Sequence, residues 1–296
     1  MDLEKKELTP EKARLSYSRL RDYLTCPKRL ALKRQMEADG KKLTFSASLE
    51  KAMLCGRIFE SFVFGDKDGF FANLKTVTKD AKYVAVIKSD AENFIEAFPT
   101  DFSKGESYVK VHYETADWYI NGEIDYLGEI TYYDEEGILH TERAILDLKY
   151  TGSLDYVWKP FQYKEEVLQV LTYSMIHYEN TGECLNAFYL VVEGNKLDNP
   201  AYSIKKVIID PMDYDWVKEV YETAAFDYGL LPKPNYKNCL GGRGVGRCPY
   251  LEFCSEGRTL LGGFESVETN SLSSKNAISC NHQNEPEEDP EEENSN

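Results

Sequence analysis

The period of hydrophobic and polar positions changes twice along the chain. From Ser16 to about Met36 apolar residues recur at helical spacing. Leu20, Tyr23, Leu24 and Leu30 form the stripe, Ser16 or Ser18 can cap its start, and Pro27 marks a break or kink. A second helix fits roughly 46–64, with Leu49, Met53, Ile58, Phe59, Phe62 and Val63 as its apolar positions. Residues 65–106 read as a variable insertion with a short helix near 89–98. The alternation then shortens to every second residue. Tyr108–Glu114, Asp117–Asn121, Glu123–Tyr132 and Leu139–Tyr150 read as strands of an antiparallel meander, with Gly137 in the turn before the last. Helical spacing returns over 160–180. Ala187–Glu193 reads as a strand and Asp213–Tyr228 as a helix. Residues 232–262 are rich in Pro, Gly and Cys and show no period. These elements predict an α/β chain, a mixed β-sheet flanked by helices. One domain is expected over 1–264, followed by a disordered acidic tail over 265–296.

Composition narrows the class. The 296 residues are enough for a sizeable core, and 13% aromatics argue against a wholly disordered chain. The apolar run Ala187–Val192 is far shorter than the ~18 residues of a membrane-spanning helix. The first ten residues, MDLEKKELTP, contain no apolar segment of a secretory signal. Seven Cys in such a chain do not read as a disulfide framework. A reducing cytoplasm is expected, with no membrane partner, and the thiols become candidate metal ligands.

Charge first argues against a nucleic-acid partner, because the net value is −16 and phosphate needs positive surface. Its distribution reverses that reading. Seven acids and no base lie between Gln283 and Asn296, while residues 11–34 hold eight bases against Glu11 and Asp22. A basic helix beside clustered carboxylates and bound cations can hold a nucleic acid, although a solvated helix face would look the same.

The sharpest local signal is Ala144-Ile145-Leu146-Asp147-Leu148-Lys149-Tyr150. Alternation on a strand puts Asp147 and Lys149 on one face, about 6–7 Å apart, and Leu148 on the other. Alone, an Asp-x-Lys is usually an exposed strand pair. Three further features strengthen it. Gly122-Glu123-Ile124-Asp125 lies where the neighbouring strand can bring Asp125 opposite Asp147. Gly56 and Glu60 lie one turn apart on the second helix, so Glu60 can point at the same place. Gln169 and Tyr173 share a face of the following helix by the same rule. Carboxylate oxygens are the ligands that Mg²⁺ and Mn²⁺ prefer. Such ions polarise a phosphodiester and activate water, and a neighbouring Lys can orient that water and offset the developing charge.

In order and spacing, Glu60, Gly122-x-x-Asp125, Asp147-x-Lys149 and Gln169-x-x-x-Tyr173 resemble the motifs of the PD-(D/E)XK nuclease superfamily in its RecB-like branch. The resemblance covers about 16–255. It implies a restriction-endonuclease-like core and a Mg²⁺- or Mn²⁺-dependent deoxyribonuclease. Glu60, Asp125, Asp147 and the Leu148 carbonyl would hold the metal, Lys149 would be catalytic, and Gln169 and Tyr173 would contact DNA or brace the site. The chain departs from many RecB-like exonucleases in having Glu60 where they have His. An exonuclease is favoured, because no separate recognition domain is visible. An endonuclease, or a catalytically silent subunit that binds DNA ends or docks a partner, is the rival. The partners expected are single-stranded DNA or duplex ends, gripped by Arg21 and Arg29 of the first helix, and a helicase or recombination protein. The setting would be DNA recombination, repair or phage DNA processing.

Cys239, Cys248 and Cys254 form C-x8-C-x5-C, and Cys26 stands far upstream. Cys26 and Cys248 each precede Pro, as at some cluster-ligating cysteines. One N-terminal and three C-terminal Cys resemble the iron–sulfur staple of AddB-type and CRISPR-associated RecB-like nucleases, although those commonly have C-x2-C-x5-C. The resemblance implies a [4Fe–4S] cluster on Cys26, Cys239, Cys248 and Cys254 that ties the N-terminal helix to the Cys-rich segment. Zinc on the same thiols, or plain buried thiols, are the alternatives.

Overall fold

Ser16 opens the first helix: its hydroxyl accepts the N–H of Arg19. The helical stripe does not run unbroken to Met36. It splits at Cys26 into α1 (Tyr17–Thr25) and α2 (Pro27–Ala38). Pro27 can occupy the first turn of a new helix but not the interior of an old one. A short strand β1 (Ala13–Leu15) precedes them. Next come α3 (Ala47–Phe64), α4 (Ala81–Ala97), β2 (Glu106–Glu114), β3 (Trp118–Tyr133) and β4 (Leu139–Thr151). The chain continues through α5 (Pro160–Thr181), β5 (Ala187–Glu193), β6 (Ala201–Val207) and α6 (Asp213–Phe226). The structure is a computed structural model that describes residues 12–43, 45, 47–71, 81–154, 160–194, 201–229, 235, 248–250, 253 and 254. Cys239 and the acidic tail lie outside them.

Among the described residues the strands form one six-stranded mixed sheet in the order β1-β3-β4-β5-β6, with β2 on the other edge of β3. The meander β2-β3-β4 is antiparallel, as its alternation implies, whereas β5 runs parallel to β4 after the α5 crossover. The expected insertion carries α4, and β6 is a further strand. Its burial is only intermediate along most of its length, so it lacks the alternation that marks a half-buried strand.

Helices cover both faces. One core joins Ile120, Ile124, Leu127, Ile145 and Tyr189 to Leu20 of α1, Leu171 and Met175 of α5 and Val217 and Tyr221 of α6. The opposite core joins Tyr126, Ile130, Leu146, Leu148 and Phe188 to Ile58 and Phe59 of α3 and Phe94 of α4. Among the described residues no helix is long and apolar enough to cross a membrane.

The two predicted strands over 117–132 are one strand with a local slip. Ile120 and Ile124 face the α5–α6 layer, yet Tyr126 and Ile130 face the α3–α4 layer. All four would share a face in a regular strand. The alternation therefore slips by one residue between Ile124 and Tyr126, at Asp125. The β2–β3 ladder lacks its rung there, between Val109↔Ile124 and Ser107↔Tyr126. Tyr108, in the gap, has a φ of 57°, a conformation that non-glycine residues rarely adopt.

Candidate active site

The slip in β3 lies at a fork in the sheet. Tyr119 pairs with β1 on one edge and with β2 on the other, and Tyr126 pairs with β4 and β2 in the same way. β1 and β4 thus share an edge of β3. Pairing with β1 stops at Ile120 and pairing with β4 begins at Tyr126↔Leu146. Asp125 stands in the gap where the ladder to β4 ends. Its Oδ2 takes the Leu148 N–H at 2.9 Å. A side chain thus replaces a strand partner, and the carboxylate is held in the plane of the sheet.

Beyond the fork, Asp147 and Lys149 share the face of Ile145, as alternation predicts. The Asp147 carboxylate is buried at 1% exposure. Its Oδ1 accepts from Gln169 Nε2 at 2.9 Å, and its Oδ2 lies 2.6 Å from Lys149 Nζ. Oδ2 thus has this charge contact but no hydrogen bond among the described residues. Gln169 Nε2 also lies 3.4 Å from the Tyr173 hydroxyl. The i,i+4 pair on α5 therefore covers Asp147 as one unit. Tyr173 needs Gly122 beneath it: a Cβ there would meet Tyr173 Cε1 at 2.8 Å. That close approach explains the glycine of the Gly122–Asp125 motif.

The electrostatics record the crowding. Burial, then the charge of Asp147, pushes Asp125 well above the carboxylate range against the pull of Lys149. Glu60, near the end of α3, is raised to about 6 by burial, with Lys149 opposing and Asp147 and Glu123 adding to the shift. Burial, with the charges of Asp147 and Asp125 adding, pushes Tyr173 up to about 12. Glu60, Asp125, Asp147, Lys149, Gln169 and Tyr173, drawn from α3, β3, β4 and α5, thus come together.

Three residues join them that the sequence patterns did not single out. Lys67 pairs with Glu123 and lies 4.7 Å over the Tyr108 ring. The Tyr108 hydroxyl donates to the Gly65 carbonyl at 3.2 Å. Glu123 sits inside the Gly122–Asp125 motif, but Lys67 and Tyr108 carry no sequence signal, because tertiary folding alone brings them to the fork.

Among the described residues no group of three or more His, Cys, Asp or Glu side chains is gathered tightly enough to hold a metal ion as it stands. The donor chemistry nonetheless fits a hard divalent cation. All the donors are oxygens, burial and the neighbouring carboxylates disfavour the ionised forms of Asp125 and Glu60 in the absence of a cation, and Asp147 Oδ2 takes no hydrogen bond among the described residues.

The thiols form a second constellation. Cys26, Cys248 and Cys254 are all buried, the last two in a small core with Leu32, Met36 and Tyr250 against α2. Cys26 Sγ accepts the Asn235 N–H at 3.1 Å, and Cys248 Sγ accepts from Arg29 Nε at 3.3 Å. Arg29 also donates its backbone N–H to the Cys26 carbonyl at 2.8 Å, so it links the two cysteines. N–H donors aimed at sulfur suit thiolate ligands.

The basic stretch is largely paired within the fold. Arg19 bonds Glu37, Lys33 bonds Asp22, Lys12 bonds Glu114 and Arg34 bonds the Tyr228 carbonyl. Arg21 is exposed on α1, and Arg29 is half-buried beside Cys248.

A family model for the PD-(D/E)XK nuclease superfamily matches residues 14–255 of the chain. Among solved structures, the chain is similar to a protein from Eubacterium rectale described as a "putative exonuclease". The TM-score is 0.51 at 19% identity, over 88% of this chain and 93% of that chain. At that identity the likeness is one of fold. No curated protein matches the chain.

Proposed function

The chain belongs to the PD-(D/E)XK nuclease superfamily, and from that premise we propose that it is a Mg²⁺- or Mn²⁺-dependent deoxyribonuclease acting on DNA ends. One observation carries this reading above the rest: the buried Asp147 carboxylate is held between Gln169 and Lys149, next to a second, half-buried carboxylate, Asp125. Nothing in a packing role calls for a buried and a half-buried acid with an ammonium at the mouth of a split sheet.

On this reading Asp125, Asp147 and Glu60, with the Leu148 carbonyl, hold the ion. A divalent cation, when bound, supplies Lewis-acid polarisation of the phosphodiester. Lys149 is the more accessible partner of its pair, with a side chain 36% exposed against 2% for Asp147. It can therefore reach substrate, orient the attacking water and offset charge on the phosphate oxygens. Gln169 fixes the Asp147 rotamer through Oδ1, leaving Oδ2 beside Lys149. Tyr173 braces Gln169 and closes the site over Gly122. Arg21 and Arg29 supply phosphate contacts along α1 and α2.

The Eubacterium rectale protein's description motivates the choice of exonuclease. A domain over 1–264 in a cytoplasmic setting, working with a helicase or recombination protein in recombination, repair or phage DNA processing, completes the proposal. So does a [4Fe–4S] cluster on Cys26, Cys239, Cys248 and Cys254, supported by the N–H donors on two of these sulfurs. The test is incubation of purified protein with end-labelled DNA, single- and double-stranded, linear and circular, with Mg²⁺ or Mn²⁺. An exonuclease shortens the linear forms and spares circles. Cutting of circles would instead assign an endonuclease. Retention of ends without cutting would assign a silent end-binding subunit.

A further inference from the structure

Among the described residues, two that are not glycine have a left-handed backbone, Asp68 at φ 54° and Tyr108 at φ 57°. They lie far apart in the chain, yet Lys67 brings them to one place. Its Nζ pairs with the Glu123 carboxylate and lies 4.7 Å over the Tyr108 ring. Glu123 stands two residues before Asp125 on β3, and Tyr108 stands in the β2 gap opposite Asp125. Backbone strain of this kind persists only where its neighbours over-determine it, and it gathers at functional sites.

The strained segments fasten the end of α3, the helix that carries Glu60. α3 ends at Phe64, and Gly65, at φ 100°, turns the chain toward β3. The Tyr108 hydroxyl holds that turn by donating to the Gly65 carbonyl at 3.2 Å, and it also hydrogen-bonds Ser61, the neighbour of Glu60. Asp66 Oδ1 takes the Phe71 N–H at 3.0 Å and closes the loop that carries Lys67. Phe64, one turn on from Glu60 on the same face, meets the Tyr108 ring edge-on at 6.1 Å and stacks on Tyr126 at 5.8 Å. The end of α3 is thus tied to residues before, opposite and after Asp125. The electrostatics agree: the Glu60 carboxyl feels the charges of Glu123 and Lys67, and Tyr108 feels those of Glu60 and Asp125.

We propose that Lys67, Glu123 and Tyr108 form a clasp that positions Glu60 against Asp125, so that these carboxylates and Asp147 can share one divalent cation. Lys67 and Tyr108 are then positioning residues, which act through Glu60 and touch neither the ion nor DNA. The proposal rests on the metal-dependent nuclease reading above. Closing on an ion then requires only side chains to turn, because the clasp has already fixed the backbone that carries them. An ion pair suits this task, since it holds the end of α3 while adding no net charge to the carboxylates.

Calorimetry of the full chain with Mn²⁺, without DNA, tests the clasp. Lys67→Met breaks the ion pair, and Tyr108→Phe removes only the hydroxyl. Each should weaken Mn²⁺ binding about tenfold or more, the scale of loss when the support of a metal ligand is removed. For Lys67→Met the sign is diagnostic, because losing a nearby positive charge would by itself favour a cation. Lys67→Arg, which can keep both contacts, should bind Mn²⁺ near the wild-type affinity. In a Glu60→Gln background Lys67→Met should cost nothing further, since its effect runs through Glu60. At saturating Mn²⁺ Lys67→Met should leave the KM for DNA unchanged. Urea melts in EDTA confirm that each variant folds, and Tyr108→Phe carries the test should Lys67→Met fail to fold. Mn²⁺ affinity unchanged or raised in either folded variant overturns the clasp, and cleavage by the wild type then leaves the nuclease reading intact. Full additivity with Glu60→Gln also overturns it, as does a KM for DNA raised about tenfold in Lys67→Met, which would make Lys67 a phosphate contact. A wild type that cuts no DNA, yet binds Mn²⁺ in a manner weakened by both variants, overturns the nuclease reading and leaves the clasp. A wild type that binds no Mn²⁺ overturns the metal-dependent reading and the clasp together.

Discussion

Asp147 can accept on two oxygens, and its neighbours divide them. Gln169 takes Oδ1 by a hydrogen bond, while Oδ2 meets the ammonium of Lys149. Asp147→Asn should therefore lower cleavage at least ~100-fold, since it removes the charge used in the reaction, while the fold persists. Gln169→Ala should act through Asp147. It should lower kcat by about 10–100-fold with little change in KM, and cost about 1 kcal/mol of stability from the lost hydrogen bond. Single-turnover rates and urea melts on the same preparations separate the two. Glu60 shows the opposite linkage. Its carboxyl is raised from 4.5 to about 6 in the folded chain, chiefly by burial. Between those values the native state keeps a proton that the unfolded state has released. Its stabilising share is thus complete below about pH 4.5 and is lost as pH rises through about 6. In EDTA, Glu60→Gln should be more stable than the wild type by about 1–2 kcal/mol at pH 8, with the gap closing near pH 4.5. Urea melts across that range check the sign. A wild type that is the more stable at pH 8 would contradict the burial argument.

At the scale of elements, the site depends on what β3 does at Asp125. A strand that kept its alternation would carry Tyr126 to the α5–α6 face and turn Asp125 away from the fork. The slip, the missing rung at Tyr108 and the φ of 57° there coincide. Strain of this kind persists where the surrounding structure over-determines it, and it recurs at functional sites. The partner element is α5, which brings Tyr173 down onto Gly122. Glycine within a strand ordinarily costs about 0.5–1 kcal/mol relative to Ala. Here Gly122→Ala should instead destabilise by about 1–3 kcal/mol, because the added methyl meets Tyr173 at 2.8 Å and Val111 at 3.2 Å. Combining it with Tyr173→Ala should recover part of that loss. A double-mutant cycle by chemical unfolding reads the coupling, and strict additivity would show that the two do not share the space.

For the whole molecule, two cores on opposite faces of one sheet hold the fork between them, and a third, small core sits where α2 meets Cys248, Tyr250 and Cys254. Two of the candidate ligand cysteines sit in that third core, and a metal on them would add to its stability by binding only the folded chain. Protein purified without oxygen should hold about four irons and four sulfides per chain, as one cubane on four Cys does. Cys248→Ala should lose them and melt at lower temperature. Stoichiometric zinc in colourless protein would decide for the zinc alternative.

Much of this was legible from one dimension. Alternation placed Asp147 and Lys149 on one face and Leu148 on the other, and i,i+4 spacing paired Gln169 with Tyr173, because strand and helix periods depend only on local backbone geometry. The pair Ser16 and Ser18 located a cap to within two residues and Pro27 a break for the same reason, and the structure puts the cap at Ser16. The motif order named the family before any contact was known. Other features depend on contacts between distant segments and leave no periodic trace. The slip at Asp125 arises where β3 changes partners from β1 to β4. The parallel pairing of β5 with β4 depends on the α5 crossover. Lys67 reaches Glu123 and Tyr108 only because α3 packs across the sheet. The sequence alone determined which residues could do the chemistry, since their types and local spacing are written in it. Only the tertiary structure decided that the carboxylates are gathered at a split in the sheet, with Asp147 buried, because burial and mutual charge are properties of neighbours brought in from other elements.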